Sequence, residues 1–255
     1  VNQDHIAKRL DAAALGGHRI APIEGAANIA MGDAYALQAA TFGFRLKRGE
    51  FPVGTRTGCA GLDESGRIRT TEAVVGRLAS GMQISNGESF GLPTGSRVRA
   101  EPALALLLRR PVGGNCSDLD LIGAIEAVAV AIELFDSRYE AAEFTMQELI
   151  ADNAGLSRFV TGPWRAPRGH FTNLGVTLEI DGHVAQFGST ATLGIESMQP
   201  LLQALRLANT PDLLPASSIV LLGGATPAQR ITPGQHVGAG IEGLGHAGLT
   251  IKDDK

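Results

Sequence analysis

Aromatic residues are scarce in this chain, at 5% of 255 residues, so its interior must be built mainly from Ala, Val, Leu and Ile. It has two cysteines, Cys59 and Cys116, without metal-ligand spacing. That count excludes a disulfide framework; one bridge stays open, and two reduced thiols in a cytosolic protein are the expectation. Basic residues do not outnumber acidic ones: 22 against 26 gives a net charge of -4. A general nucleic-acid binder needs a basic face to displace counterions, so that class is excluded. No apolar run approaches the roughly 20 residues that span a bilayer. The opening stretch VNQDHIAKRL lacks the apolar core of a signal peptide. Together these absences predict a soluble, cytoplasmic protein with neither nucleic-acid nor membrane partners.

What is present fits an ordinary globular chain, 44% hydrophobic and 19% charged. Its length allows one large domain with a core that needs no staples. We therefore expect a single domain over 1–255, with an amino-terminal helical segment at 1–50 and a mixed-sheet core at 51–255. Helical spacing marks residues 3–15, with Asp4 as a cap, and a second helix opened by Asp33 and ended by Lys47, Arg48 and Gly49. From residue 50 onward short apolar runs alternate with Gly, Pro, Asn and Asp, the texture of strands. Strands are predicted at 52–58, 97–108, 128–136, 174–180, 184–188 and 217–223. Asp181-Gly182 between GVTLEI and HVAQFG predicts a tight hairpin, because both central residues need positive φ. Helices are predicted at 118–127, 143–153 and 197–209. Without regular βαβ alternation, the class is α+β.

Two carboxylates interrupt apolar strands. In RVRAEPALALLLRR, Glu101 shares a face with Ala103 and Ala105. It either ends the strand against water or an Arg, or faces a site. In VAVAIELF, Glu133 breaks a buried run and must be paired, protonated or metal-bound. An internal ion pair with an Arg and a shared divalent cation such as Mg²⁺ are both open. The loop 158–170 gathers Arg158, Trp164, Arg165, Arg168 and His170, as an anion cover, a solvated rim or an oligomer contact. Gly223-Gly224 follows a predicted buried strand and can present N–H groups to an anion. GAGIEGLGHAG at 238–248 lacks the βαβ context of a dinucleotide fingerprint. His246 and the other histidines form no metal or triad spacing.

Six segments occur in one order from about residue 20 to about residue 250: IAPIEGAANIAMGDAYALQ, GEFPVGTRTG, RVRAEPALALLL, AIELFDSR, IADNAGLSRFVTG and SSIVLLGGATPAQRITPG. In this order the chain resembles the 2-keto-4-pentenoate hydratase and 4-oxalocrotonate decarboxylase branch of the fumarylacetoacetate hydrolase superfamily. The resemblance implies a compact α+β fold around a strongly bent mixed sheet, assembled as a homo-oligomer. It implies Mg²⁺ or Mn²⁺ held by a glutamate pair and a third carboxylate, a small 2-oxo or enol carboxylic acid substrate, and a lysine that moves protons. Position by position, Glu101 and Glu133 match metal-binding carboxylates, while Ala103 stands at the second glutamate. Arg56 stands at the lysine, Gly81 at an aspartate, Gly155 at a serine, and Gln235 at a turn aspartate. Arg56, Asp152, Gly223 and Gly224 are the expected substrate-binding residues. A guanidinium stays protonated, so Arg56 can clamp a carboxylate but cannot act as a base. Two functions follow as expectations. One is a hydratase- or decarboxylase-like lyase, in catabolism of aromatic ring-cleavage products. The other is a diverged member without the parent metal chemistry, either a metal-independent enzyme or a non-catalytic binding or oligomer partner.

Overall fold

The computed structural model describes residues 3–59, 73–92, 96–113, 115–140, 144–167, 171–193, 202 and 214–252. Helices α1 (Gln3–Gly16) and α2 (Met31–Lys47) form the amino-terminal layer. Their apolar stripes meet through Ile6, Leu10, Ala13 and Leu37. Arg48, just past α2, clamps Asp11 of α1 with N–H bonds of 2.6 and 2.8 Å. α2 starts two residues before Asp33, which sits in its first turn, and Asp4 likewise lies inside the first turn of α1.

Thirteen strands follow among the described residues: β1 (Pro52–Cys59), β2 (Ala73–Ala79), β3 (Gln83–Ile84), β4 (Ser89–Gly91), β5 (Arg99–Leu108), β6 (Ile125–Phe135), β7 (Leu156–Thr161), β8 (Gly175–Ile180), β9 (His183–Ser189), β10 (Ile219–Gly223), β11 (Gln229–Arg230), β12 (His236–Ile241) and β13 (Gly245–Lys252). Short helices α3 (Asp118–Gly123) and α4 (Met146–Ala151) interrupt them. The larger sheet runs β2-β1-β10-β5-β6-β7-β3, with β11 also pairing β5; the smaller runs β4-β13-β12-β8-β9. Pairings β1–β10, β3–β7 and β4–β13 are parallel and the others antiparallel, so both sheets are mixed.

The α+β expectation holds, with corrections to individual elements. The helix expected over 118–127 stops at Gly123, because the β-branched run from Ile125 joins the sheet as β6. The helix at 143–153 shortens to α4, and the one at 197–209 lies outside the described residues. β2, β7, β12 and β13 were not anticipated. GAGIEGLGHAG is the β12–β13 hairpin, whose glycines mask the period-two pattern. The β8–β9 turn has Asp181 at φ 53° and Gly182 at φ 78°, as the hairpin reading requires.

Period-two alternation gives the larger sheet two unlike faces. One face carries Leu104, Leu106, Val128, Val130 and Ile132, packed against Val176, Leu178, Val237, Leu249 and Ile251 of the smaller sheet. The other carries Ala103, Ala105, Ala129 and Ala131, with Leu221 and Phe159, under Phe42 and Met82. Four alanines in two neighbouring strands line this face, and the candidate site lies on it.

Candidate active site

In the β5–β6 ladder Glu101 stands directly opposite Glu133. Glu133 is fully buried and Glu101 almost so. Two facing carboxylates in a dry setting demand a cation, and the side chain of Arg56 supplies it. Arg56 Nε and Nη2 donate to the two oxygens of Glu133 at 3.0 and 3.1 Å, and Nη2 stands 3.5 Å from Glu101 Oε1. The guanidinium carbon also lies 5.2 Å from the centre of the Phe135 ring.

Arg56 reaches this position along a trough of glycines. A Cβ on Gly76 would stand 2.9 Å from Arg56 Cγ, and one on Gly58 3.0 Å from Arg56 Nη2. A Cβ on Gly223 would lie 2.1 Å from Glu133 Oε2, 2.6 Å from Glu101 Oε1 and 2.8 Å from Arg56 Nη2. Beside Gly223 on β5 stands Ala103, which packs with the apolar side chains of this face. The trough glycines Gly58 and Gly76 and the lid-like Phe135 escaped the sequence reading.

Burial raises the carboxyl pKa of Glu101, and the neighbouring Glu133 raises it further, to about 8. Arg56 and a backbone hydrogen bond from Gly224 pull it back only in part. The cluster therefore sets one guanidinium against Glu133 and holds the Glu101 carboxyl toward its protonated form.

Of the expected site residues, Arg56, Glu101, Glu133, Gly223 and Gly224 come together, and Asp152 does not join them. Its carboxylate is engaged by Arg138, through the backbone N–H at 3.0 Å and through Nε, while Nη2 of Arg138 donates to the Asp152 carbonyl. This pair lines a cleft beneath α1 and α2, whose walls include Arg19, Arg45 and Arg158 but not Arg56, Glu101 or Glu133. Burial nevertheless lifts the Asp152 carboxyl to about 6 against the pull of Arg138.

The other positions singled out in the sequence sit in defined local surroundings. Gly81 N–H donates to Glu50 Oε2 at 3.2 Å, and a Cβ at Gly81 would stand 2.6 Å from that oxygen. Gly155, at φ 72°, ends three successive left-handed residues begun by Asn153 and Ala154. A serine there would be strained. Gln235 accepts the Thr232 N–H at 2.8 Å, which is the turn-closing bond its position calls for. Arg158 stacks over Phe90, Trp164 packs on the alanine-rich face and Arg165 bridges to Val128; Arg168 and His170 lie outside the described residues.

The residues present do not fit a tightly held divalent ion. Mg²⁺ needs oxygens near 2.1 Å in octahedral array. Both Glu133 oxygens are committed to Arg56, Ala103 offers none, and no cluster of three or more His, Cys, Asp or Glu suited to a metal occurs among the described residues. A doubly charged ion about 4 Å from the guanidinium would be repelled by on the order of 8 kcal/mol at an effective dielectric of 20.

No protein-family model matches the chain. It is 33% identical over 251 residues to a 4-oxalocrotonate decarboxylase of a Pseudomonas species, covering 98% of each chain. It is 29% identical to the 2-keto-4-pentenoate hydratase of Paraburkholderia phymatum, covering 95% of this chain and 94% of the other. Among solved structures it matches the 4-oxalocrotonate decarboxylase of Pseudomonas putida G7, complexed with magnesium and adipate. That match has a TM-score of 0.88 at 26% identity and covers 98% and 97% of the two chains. Among the described residues no helix is long and apolar enough to cross a membrane.

Proposed function

Because the chain belongs to the 4-oxalocrotonate decarboxylase and 2-keto-4-pentenoate hydratase branch of the fumarylacetoacetate hydrolase superfamily, we propose that it is a lyase acting on a small 2-oxo or enol carboxylic acid at the Arg56–Glu101–Glu133 cluster. The observation that carries this reading is the meeting of two carboxylates and one guanidinium on the alanine-rich face of a sheet in a chain matched over nearly its whole length. Loss of CO₂ from an oxo-diacid and addition of water to a dienoate share one demand. Both place negative charge on the 2-oxo oxygen, and a buried, preorganised cation lowers the barrier to that.

Roles follow from the chemistry of each group. Arg56 holds an acid or developing enolate by charge-assisted hydrogen bonds. Glu133 fixes the guanidinium. Glu101, near its titration point at neutral pH, is placed to give or take a proton. Gly223 and Gly224 let a ligand approach the backbone. The relative from Pseudomonas putida G7 was complexed with magnesium. Glu101 and Glu133 are the residues of this chain that would bear on such an ion, and Ala103 removes a third ligand. A homo-oligomer belongs to the same reading: Val184 and Phe187 are exposed on β9, an edge strand of the smaller sheet.

The test is an ultraviolet assay of the purified protein with 4-oxalocrotonate and with 2-hydroxydienoates. Turnover of either acid that falls at least about 100-fold in Arg56→Gln supports the proposal. Absence of turnover of both classes, with and without magnesium or manganese, contradicts it. A non-catalytic binding or oligomer role is then the better account.

A further inference from the structure

We infer that Arg56 takes over the part of the divalent ion: its guanidinium is the fixed cation of the cluster, and the site holds its anionic ligand without a metal. The inference deepens the proposed lyase reading and rests on it for the nature of the ligand.

Three observations converge on it. First, the cation position beside the two touching carboxyl groups is occupied, since Arg56 lies within 3.1 Å of both oxygens of Glu133 and 3.5 Å from Glu101. Second, the trough that guides it is built for it. Among the described residues, a Cβ at Gly58, Gly76 or Gly223 would meet Arg56 at 3.0 Å or less. Third, the charge changes are complementary. Ala103, which faces Gly223 across the β10–β5 ladder, contributes no carboxylate where a further negative charge would call for a doubly charged ion. Two glutamates share one guanidinium here, and a third carboxylate at 103 would call for more positive charge than an arginine has.

A guanidinium differs from a metal ion in what it can select. It binds oxygen anions through directional N–H donors and has no open coordination position, so it favours a planar carboxylate or enolate over chelation. The ligand class is thus a 2-oxo or enol carboxylate recognised as an anion. Removing metal should leave its affinity unchanged.

The decisive measurement is Mn²⁺ binding by electron paramagnetic resonance on the intact protein, which needs no turnover. The wild-type chain is expected to leave the free Mn²⁺ signal undiminished. Ala103→Glu combined with Arg56→Lys should quench it, with an affinity gain of roughly 10–100-fold or more. Calorimetric titration of the wild type with 2-oxoadipate in the presence of EDTA should give the same affinity as with Mg²⁺. The inference is overturned if wild-type protein binds Mn²⁺ and Glu101→Gln abolishes that binding. It is also overturned if 2-oxoadipate binds only when Mg²⁺ is added. Both arms use the wild type, so a misfolded double variant does not blunt them. Failure to turn over any acid speaks against the lyase reading and leaves the Mn²⁺ result to stand alone.

Discussion

Arg56 and Glu133 stand on strands separated in the sheet by two others, yet they meet through two parallel hydrogen bonds of 3.0 and 3.1 Å. Adjacent strands lie about 4.8 Å apart, so three intervals in a flat sheet would span about 14 Å. The two side chains close that gap because arginine and glutamate are both long and because the residue crossed on β10 is Gly223.

The first prediction concerns that crossing. Gly223→Ala puts a carbon 2.1 Å from Glu133 Oε2, so Glu133 or β10 must move. Overpacking of this kind costs about 1–3 kcal/mol, and disturbing the buried pair adds to it. Urea denaturation should show the loss. A variant as stable as wild type would mean the cluster is looser than described.

Removing one partner of the buried pair is the second test. Arg56→Gln leaves Glu133 charged and buried and should destabilise by about 3–5 kcal/mol. Arg56→Gln with Glu133→Gln removes both charges and should recover much of that loss. Additive losses in the double variant would show that the two side chains do not act as a pair.

Proton linkage gives the third. The Glu101 carboxyl is raised by burial, then by Glu133, from 4.5 to about 8. The folded chain therefore keeps a proton that the unfolded chain releases. This contribution is complete below about 4.5 and is lost as pH rises through about 8. Glu101→Gln should match the wild type near pH 4.5. Near pH 8.5 it should melt higher by roughly 5 °C. Parallel melting curves for the two proteins across that range would contradict the assignment.

The Arg138–Asp152 pair gives a fourth. Asp152→Asn leaves a buried guanidinium short of its carboxylate and should cost about 3 kcal/mol. Since Asp152 lies outside the Arg56 cluster, affinity for 2-oxoadipate should stay within about twofold of wild type once the protein is folded. A large loss of affinity in folded protein would restore Asp152 to the binding site.

Much of this was legible in the residues. Glu133 announced itself by breaking a buried strand, and its pairing with an arginine was one of two readings left open by desolvation alone. The Asp181-Gly182 turn followed from φ preferences. β12 and β13 stayed hidden because alternating glycines carry no hydrophobic signal. The position of Asp152 was also hidden, because a short motif fixes its order along the chain and not which guanidinium reaches it first. The trough of Gly58, Gly76 and Gly223 is assembled from three strands, so no local window contains it.

The central claim is that a side chain provides the positive charge of this site. Initial rates of 2-oxo acid conversion, taken after exhaustive chelation and again after adding back magnesium, test it most directly. Equal rates are predicted. A reaction that starts only when magnesium returns would contradict it.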